Sequence, residues 1–193
     1  SWSLSADNGF SIADGRLVPP ASVTGAVSNV LTAVNGAYTK HINIARIPAI
    51  ALRGAGTEAD PYQLASVDDW NVLATHVNTN LIDMAGLYVK LMADIDFSGK
   101  DFTPVSGNQW NATFLGNNHK LTGIEHTFAA GKMGTFAKLG PSGSIRDLTI
   151  EGTFTQTKAT YGAAFVGECY GRIVNCVNRA HITGNKSYRA GFA

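Results

Sequence analysis

Charged residues, cysteines and long apolar runs are all scarce in this chain. Only 15% of its 193 residues are charged, against about a quarter in an average globular domain. The formal net charge is +1, so the composition indicates neither a nucleic-acid-binding protein nor a polybasic membrane-surface protein. No apolar run approaches the roughly 18 residues of a transmembrane helix. With 21 glycines, the composition favours a β protein with many turns and a surface of Thr, Ser and Asn.

The two cysteines, Cys169 and Cys176, form no CxxC pair and have no cluster of histidines beside them in the sequence. A zinc site is therefore not indicated, and we expect no cofactor. We interpret both cysteines as small core residues. A disulfide between them is the alternative, and cysteine usage leaves the redox compartment open. The five histidines are scattered and no serine stands in a GxSxG elbow, so no catalytic residue is predicted.

The first 49 residues alternate between short strand-like runs and turns. Asp14-Gly15 separates two short apolar runs, which predicts a tight hairpin. Asn35-Gly36 separates two longer runs, 23–34 and 37–47, and predicts a second hairpin with both turn residues at positive φ. The chain opens on the strand-like Ser1-Trp2-Ser3 without an initiator Met or a basic leader, so we expect a processed or trimmed chain.

One amphipathic helix is predicted over residues 66–78. Ser66 is the predicted N-cap, and Asp69 three residues later approximates a capping box. Apolar residues follow at helical spacing: Val67, Trp70, Leu73, Ala74 and Val77. A single such helix in a β-rich chain needs strands to cover, so we expect it to close the end of the array of strands that follows it.

An internal repeat begins after Met133. At one constant offset it matches Ile145 with Ile173, Leu148 with Cys176, Ile150 with Asn178, and Phe154 with Ile182. A third copy starts at Ala190, and Leu121 and Ile124 are assigned to the preceding copy because Ile124 stands 24 residues before Leu148. A period near 28 with short strands and turns rich in Gly or Asn is typical of a solenoid, in which stacked coils bury an inward row that one coil cannot bury alone.

A series of short motifs runs through residues 50–193. In order they are Gly56-Thr57, Asp60-Pro61-Tyr62, the capped helix, Leu91-x-x-Asp94-Ile95-Asp96-Phe97, the run from Phe114 to His119, and Ile173-Val174-Asn175-Cys176. This order resembles the N-terminal end of bacterial cell-surface β-helix proteins that carry GLUG-type repeats. The chain departs from their pattern at Leu115, where those proteins have Asp, and at Ala163-Ala164, where they have two glycines.

Residues 1–49 resemble the later half of a bacterial Ig-like module, with Trp2, the Asp14-Gly15 turn and Pro19-Pro20 before two final strands. Together, the two resemblances imply an all-β chain. Residues 50–193 would be the N-terminal cap and first coils of a right-handed parallel β-helix, truncated at its C-terminal end. Residues 1–49 would be a partial Ig-like β-sandwich segment. We therefore expect either chain–chain contact at the open end of the solenoid or a chain that is one part of a longer polypeptide.

Two groups of residues are candidates for chemistry or binding. Asp94 and Asp96 flank an inward-facing Ile95, so both carboxylates point outward and could hold a cation or act as an acid–base pair. The alternative is a solvated strand face. The second group consists of aromatic residues near predicted turns, whose rings could stack on sugars or pack on a protein partner. They are Trp110, Tyr161, Tyr170 and Tyr188.

The sequence indicates two possible functions. The first is a non-catalytic, adhesin-like module of an exported bacterial surface protein, a rigid solenoid that binds host, matrix or glycan ligands. The second is the N-terminal part of a carbohydrate-active β-helix enzyme, a lyase or glycoside hydrolase whose active coils lie outside residues 1–193. The second rests on shared architecture alone, and converging carboxylates on neighbouring coils would favour it. A purely structural stalk is the third reading.

Overall fold

The computed structural model of the chain describes residues 1–6, 8–21, 27–46, 49–82, 84–128, 131–157, 161–184 and 188–193. Within these ranges the protein is all-β with one α-helix. The chain divides into two compact units, Ser1–Ile50 and Ala51–Ala193. The elements are β1 (Trp2–Leu4), β2 (Ser11–Ala13), β3 (Arg16–Val18), β4 (Val27–Asn35), β5 (Tyr38–Arg46), β6 (Tyr62–Leu64), α1 (Val67–Asn80), β7 (Tyr88–Leu91), β8 (Ile95–Asp96), β9 (Thr113–Leu115), β10 (Lys120–Phe128), β11 (Lys132–Met133), β12 (Ser144–Arg146), β13 (Thr149–Gln156), β14 (Tyr161–Ala163), β15 (Arg172–Val174), β16 (Val177–Gly184) and β17 (Tyr188–Ala190).

The N-terminal unit contains an antiparallel sheet in the order β1-β4-β5 and the hairpin β2-β3. Asp14 and Gly15 both have positive φ (48° and 73°), as the predicted tight turn requires. The second hairpin turns one residue later than predicted, because Asn35 is still paired with Tyr38. Of the residues between these partners, only Gly36 has positive φ (60°), the pattern of a type II′ turn. Asn35 therefore stays in the strand, and the prediction of Asn35-Gly36 as the turn centre was wrong.

A buried asparagine ties the chain after β1 to strand β4. The side-chain oxygen of Asn29 accepts hydrogen bonds from the Ser5 N–H (2.8 Å) and the Ser5 hydroxyl (2.7 Å). Its amide nitrogen donates to the Ala6 carbonyl (2.8 Å) and to Asn8 Oδ1 (2.9 Å). Since a buried polar group is costly unless it is hydrogen-bonded, this network fixes the path of the chain beyond β1 along β4.

Among the described residues of the C-terminal unit, every strand pairing between β6 and β17 is parallel, and these strands form three sheets. The first has the order β15-β12-β9-β7-β6, the second β16-β13-β10-β8, and the third β11-β14-β17. In the first sheet Ile145 is level with Ile173, and in the second Phe154 is level with Ile182. These registers confirm the repeat offset predicted from the sequence.

Leu121 and Ile124 lie on β10, the strand that pairs with β13 from the preceding copy, as predicted, but Ile124 is not the counterpart of Leu148. Ile124 is level with Gly152, and Leu121 is level with Ile150. Between these two pairs β10 has two residues, Thr122 and Gly123, where β13 has one. Such an insertion is a β-bulge, and Gly123 takes the positive φ (63°) that the bulge needs. Because the bulge absorbs one residue, the register changes along a single pair of strands.

The core of the C-terminal unit is rich in aromatic rings. Alternate residues of the second sheet point inward, so Ile150 and Phe154 of β13 are fully buried. The Phe128 and Phe154 rings stack with centroids 5.6 Å apart. Both cysteines are free and only half buried, so the alternative of a disulfide is not realised. Burial raises the pKa of the Cys176 thiol.

Helix α1 forms where the sequence predicted it and buries its apolar face in this core. Ser66 Oγ accepts the Asp69 N–H (3.1 Å) and caps the helix, and the Asp69 carboxylate accepts the N–H of Ala65, the residue before the cap (2.8 Å). Trp70 and Leu73 are fully buried. The helix ends at Asn80, slightly beyond the predicted end at Asn78. It is not long or apolar enough to span a membrane, and the described residues contain no other α-helix.

The loop beyond β8 is hydrogen-bonded to α1 at two levels. The Trp70 indole N–H donates to the Thr103 carbonyl (2.9 Å). Near the helix end, the Asn78 amide nitrogen donates to the Pro104 carbonyl (2.9 Å), and its oxygen accepts the Ser106 and Gly107 N–H groups (2.8 and 2.7 Å). These bonds satisfy backbone groups that no strand pairs, and they hold the helix against the sheets.

Candidate functional site

The two acidic candidates are each engaged by their own neighbours. Asp94 Oδ1 lies 2.9 Å from His119 Nδ1 and accepts the Lys120 N–H at 3.1 Å. The bond to His119 lowers the pKa of the Asp94 carboxyl. Asp96 accepts the Ser98 N–H and hydroxyl at 3.0 and 2.7 Å, which lowers the pKa of its carboxyl. Across the described ranges, no three side chains of His, Cys, Asp or Glu are grouped so that they could hold a metal ion.

The Asp94–His119 contact is a side-chain hydrogen bond between neighbouring strands. Asp94 precedes β8 and His119 precedes β10, and these strands pair in parallel with Leu121 level with Ile95. A similar contact occurs two strand pairs further along the same sheet, where the Asn175 amide donates to the Asp147 carboxylate across the turns before β16 and β13. Both contacts connect successive turns of the chain on the outside of the sheets. Asp94 is therefore explained as part of a contact between neighbouring strands.

Trp110 is not an exposed aromatic, and its prediction as a ligand-binding residue is corrected. Its side chain is fully buried, with the ring centroids of Phe136 and Phe114 at 5.2 and 6.3 Å. A parallel bridge to Leu139 holds the Trp110 backbone in line with the next turn of the chain, which is why the side chain points inward. The indole N–H has no hydrogen-bond partner among the described residues. A ligand in solvent cannot reach this ring.

Tyr170 is the exposed aromatic that the sequence predicted, and it belongs to a small polar group. The residue is 58% exposed, and its hydroxyl donates to Glu168 Oε1 at 2.8 Å. The Lys138 ammonium lies 5.2 Å from the ring centroid and 3.8 Å from Glu168 Oε2. Lys138, Glu168 and Tyr170 are called the Tyr170 cluster below. The cation covers one face of the ring and leaves the rest of it in contact with solvent.

Tyr161 and Tyr188 begin two neighbouring strands of the third sheet. The backbones of these residues are paired in register, with Tyr161 of β14 level with Tyr188 of β17. The structure therefore brings together two of the four aromatic candidates. The side chains of both tyrosines lie outside the described part of the structure, and their role as ligand-binding residues stays a prediction.

Sequence reasoning missed a charged row on the outer face of the second sheet. Glu151 Oε1 lies 3.4 Å from the Lys120 ammonium and 3.2 Å from the Arg179 guanidinium. Farther along the same strands, the Thr155 and Thr183 hydroxyls are 3.0 Å apart. The signal was available in the sequence, since Glu151 and Arg179 are separated by the repeat offset. These exposed pairs contribute little stability, but they order the polar surface.

A second missed feature lies in the N-terminal unit. Trp2 and Tyr38 are 53% and 84% exposed, and both line a cavity of about 540 Å³ on the antiparallel sheet. Sequence reasoning looked for aromatic residues near turns and therefore missed these two, which lie in strands.

Comparison of the chain with protein-family models, with curated proteins and with solved structures gives no match.

Proposed function

We propose that residues 51–193 form a right-handed parallel β-helix closed at one end by α1, and that residues 1–50 are a partial Ig-like segment. We further propose that the chain is a non-catalytic, adhesin-like module of an exported bacterial cell-surface protein with GLUG-type repeats. In this proposal the β-helix is a rigid frame whose exposed side chains bind host, matrix or glycan ligands.

The order in which successive strands join the three sheets supports the β-helix. Strands β9, β10 and β11 belong to the first, second and third sheets, and β12 to β14 and β15 to β17 repeat that order. The chain thus returns to each sheet at a nearly constant interval, and each return pairs in parallel. Helix α1 precedes these strands and buries Trp70 and Leu73, which is the place of a cap in a repeat array.

The Tyr170 cluster is the observation that carries the binding function. Tyr170 lies between two strands of the frame, and its N–H donates to the Leu139 carbonyl at 2.9 Å. Its ring is therefore held at a fixed place while most of it remains in water. A large aromatic ring with a hydroxyl, a cation and a carboxylate beside it is suited to stacking on a sugar or packing on a protein.

Binding by the immobilised chain to glycan arrays and to extracellular matrix proteins tests this function. We expect Tyr170→Ala to weaken binding to any ligand found by about tenfold, the effect of losing about 1.4 kcal/mol of contact. Leu81→Ala is the matched control, because Leu81 is 61% exposed at the end of α1. Full binding by Tyr170→Ala would contradict the role of the cluster. Protease treatment of intact cells of the source bacterium tests export, since a surface protein is cleaved while the cells stay closed.

We also propose contact with another chain at β16, the outer strand of the second sheet. On β16 the inward residues Asn178, Ala180 and Ile182 are only half buried, whereas Ile150 and Phe154 on the neighbouring β13 are fully buried. An uncovered inward row and an unpaired strand edge favour pairing with another chain. We expect sedimentation velocity to show association that rises with concentration and is removed by Ile182→Lys. A monomer at all concentrations would contradict this contact.

A further inference from the structure

The antiparallel sheet of the N-terminal unit carries a cleft between two exposed aromatic rings. Trp2 of β1 is level with Ala33 of β4, and Ala33 is level with Lys40 of β5. Residues level with one another in antiparallel strands share a face of the sheet. Tyr38 stands two positions before Lys40 and therefore lies on the same face. Trp2 forms one wall of the cleft, Tyr38 and Lys40 form the other, and Ala33 forms the floor.

The dimensions of the cleft follow from the sheet. Neighbouring strands are about 4.8 Å apart, so the two walls rise from strands separated by roughly 10 Å. The central strand contributes only the Ala33 methyl group at this level, which leaves the space above it open. The cavity has a volume of about 540 Å³, within the range of about 300–1,000 Å³ that small-ligand pockets occupy. Lys40 lies directly across Ala33 from Trp2, and Tyr38 is two residues, about 7 Å, further along β5, so a six-membered ring stacked on Trp2 has Lys40 opposite it and Tyr38 diagonally beside it.

The lining of the cleft selects the chemistry of its ligand. The two aromatic residues are largely exposed to solvent, so a ligand with apolar ring faces would gain contact area on both. Asn35, level with Tyr38, provides an amide that can donate to and accept from hydroxyl groups. Lys40 is exposed, and within the described ranges it forms no ion pair. No acidic residue is among the described residues that line the cavity, so an anionic group is favoured at Lys40.

We propose that this cleft binds a sugar residue that bears a carboxylate, a uronic acid or a sialic acid within a glycan. The sugar ring stacks on Trp2 with Tyr38 diagonally beside it, and its carboxylate pairs with the Lys40 ammonium. This inference rests on the proposed function, because it names the class of glycan that such a surface module would bind. Its site is separate from the Tyr170 cluster, so the two can fail independently.

Tryptophan fluorescence provides a direct assay on the whole chain. Of the three tryptophans, Trp70 and Trp110 are fully buried and Trp2 is 53% exposed, so acrylamide quenching reports mainly on Trp2. The probes are trigalacturonate for the uronic acid, 3′-sialyllactose for the sialic acid, and lactose as the neutral sugar. We expect one of the acidic probes to protect Trp2 from quenching and to bind at least about fivefold more tightly than lactose. The probe that binds identifies which acidic sugar the cleft takes.

Three variants locate the binding, with affinities measured by calorimetry. Tyr38→Ala should weaken the acidic probe about tenfold while Tyr38→Phe retains its affinity, because stacking needs the ring and not the hydroxyl. Lys40→Ala should reduce the preference for the acidic probe over lactose to about twofold or less. Leu81→Ala, at an exposed position outside both the cleft and the Tyr170 cluster, is the control and should bind as the unaltered chain does. Far-UV circular dichroism checks that each variant is folded.

Several outcomes would overturn the inference. Absence of binding by both acidic probes would do so, even if the chain still binds matrix proteins and the proposed function stands. Affinity that depends on Tyr170 and not on Tyr38 would move the glycan site to the C-terminal unit. Protection of Trp2 that increases with protein concentration in the absence of sugar would show that a second copy of the chain fills the cleft.

Discussion

Replacing Trp70 with alanine would remove the largest side chain that α1 buries against the sheets. The ring is fully buried and has aromatic neighbours on different parts of the unit. Its centroid lies 5.7 Å from Phe102, 6.1 Å from Phe114 and 6.2 Å from Phe97. The indole N–H also donates to the Thr103 carbonyl at 2.9 Å. The substitution therefore creates a cavity under the helix and breaks one of the bonds that hold the adjoining loop.

The expected loss of stability is large compared with the total. Emptying a buried tryptophan site costs about 3–5 kcal/mol, and losing the hydrogen bond to Thr103 adds about 1 kcal/mol. The combined loss of about 4–6 kcal/mol compares with a total free energy of unfolding of roughly 5–15 kcal/mol for a domain. At roughly 2–4 °C per kcal/mol for a unit of this size, the melting temperature should fall by roughly 8–24 °C.

Urea unfolding followed by far-UV circular dichroism measures the loss, with hydrogen exchange of α1 and β9 to identify the unit that unfolds. Trp70→Phe retains much of the ring but loses the N–H, so it should fall between the unaltered chain and Trp70→Ala. Leu81→Ala, at an exposed position, should change the free energy of unfolding by less than about 0.5 kcal/mol. A loss below about 1 kcal/mol for Trp70→Ala would refute the role of α1 as the closure of the core.

Three further changes test other parts of the same frame. Asn78→Ala removes three hydrogen bonds to the loop at Pro104 and should cost about 1–3 kcal/mol, while Asn78→Asp keeps the acceptor and should cost less in the same urea assay. Gly116→Ala places a methyl group against the backbone of Asp147 and should lower stability by about 1–3 kcal/mol, seen as a lower melting temperature. Burial lowers the pKa of His126 below its ordinary value, so the unfolded chain binds the proton more readily. Stability should be complete above about pH 6.5 and fall as the pH drops below it, and His126→Gln should flatten that dependence.

Helix α1 was predictable because its signals are local. The Ser66 cap, the acidic first turn and the apolar spacing from Val67 onward all lie within one segment. The strand register was predictable for a different reason. Parallel strands stacked at a constant offset place equivalent residues side by side, so Ile145 and Ile173 carry the offset in the sequence itself. In both cases the physical constraint acts on residues whose spacing can be counted.

The features that escaped prediction depend on where the backbone points in three dimensions. Trp110 stands among turn-forming residues, yet its alignment with Leu139 directs it into the core. The bulge at Gly123 makes Ile124 level with Gly152 where an unbroken register would give Thr153. A glycine inside a strand pattern is a known sign of a bulge, but the sign does not say which partner strand absorbs the extra residue.

The repeat constrains register more strongly than residue identity, and burial explains where identity is free to change. Ile150 of β13 has strands on both sides and is fully buried, so only an apolar side chain suits it. Its partner in the repeat, Asn178, is on β16, an outer strand, and is half buried. There the Asn178 oxygen accepts the Ala180 N–H at 2.9 Å, which satisfies a polar group that a dry core would leave unpaired. The change from Ile to Asn at a fixed offset is therefore what partial burial permits, and it keeps the backbone register intact.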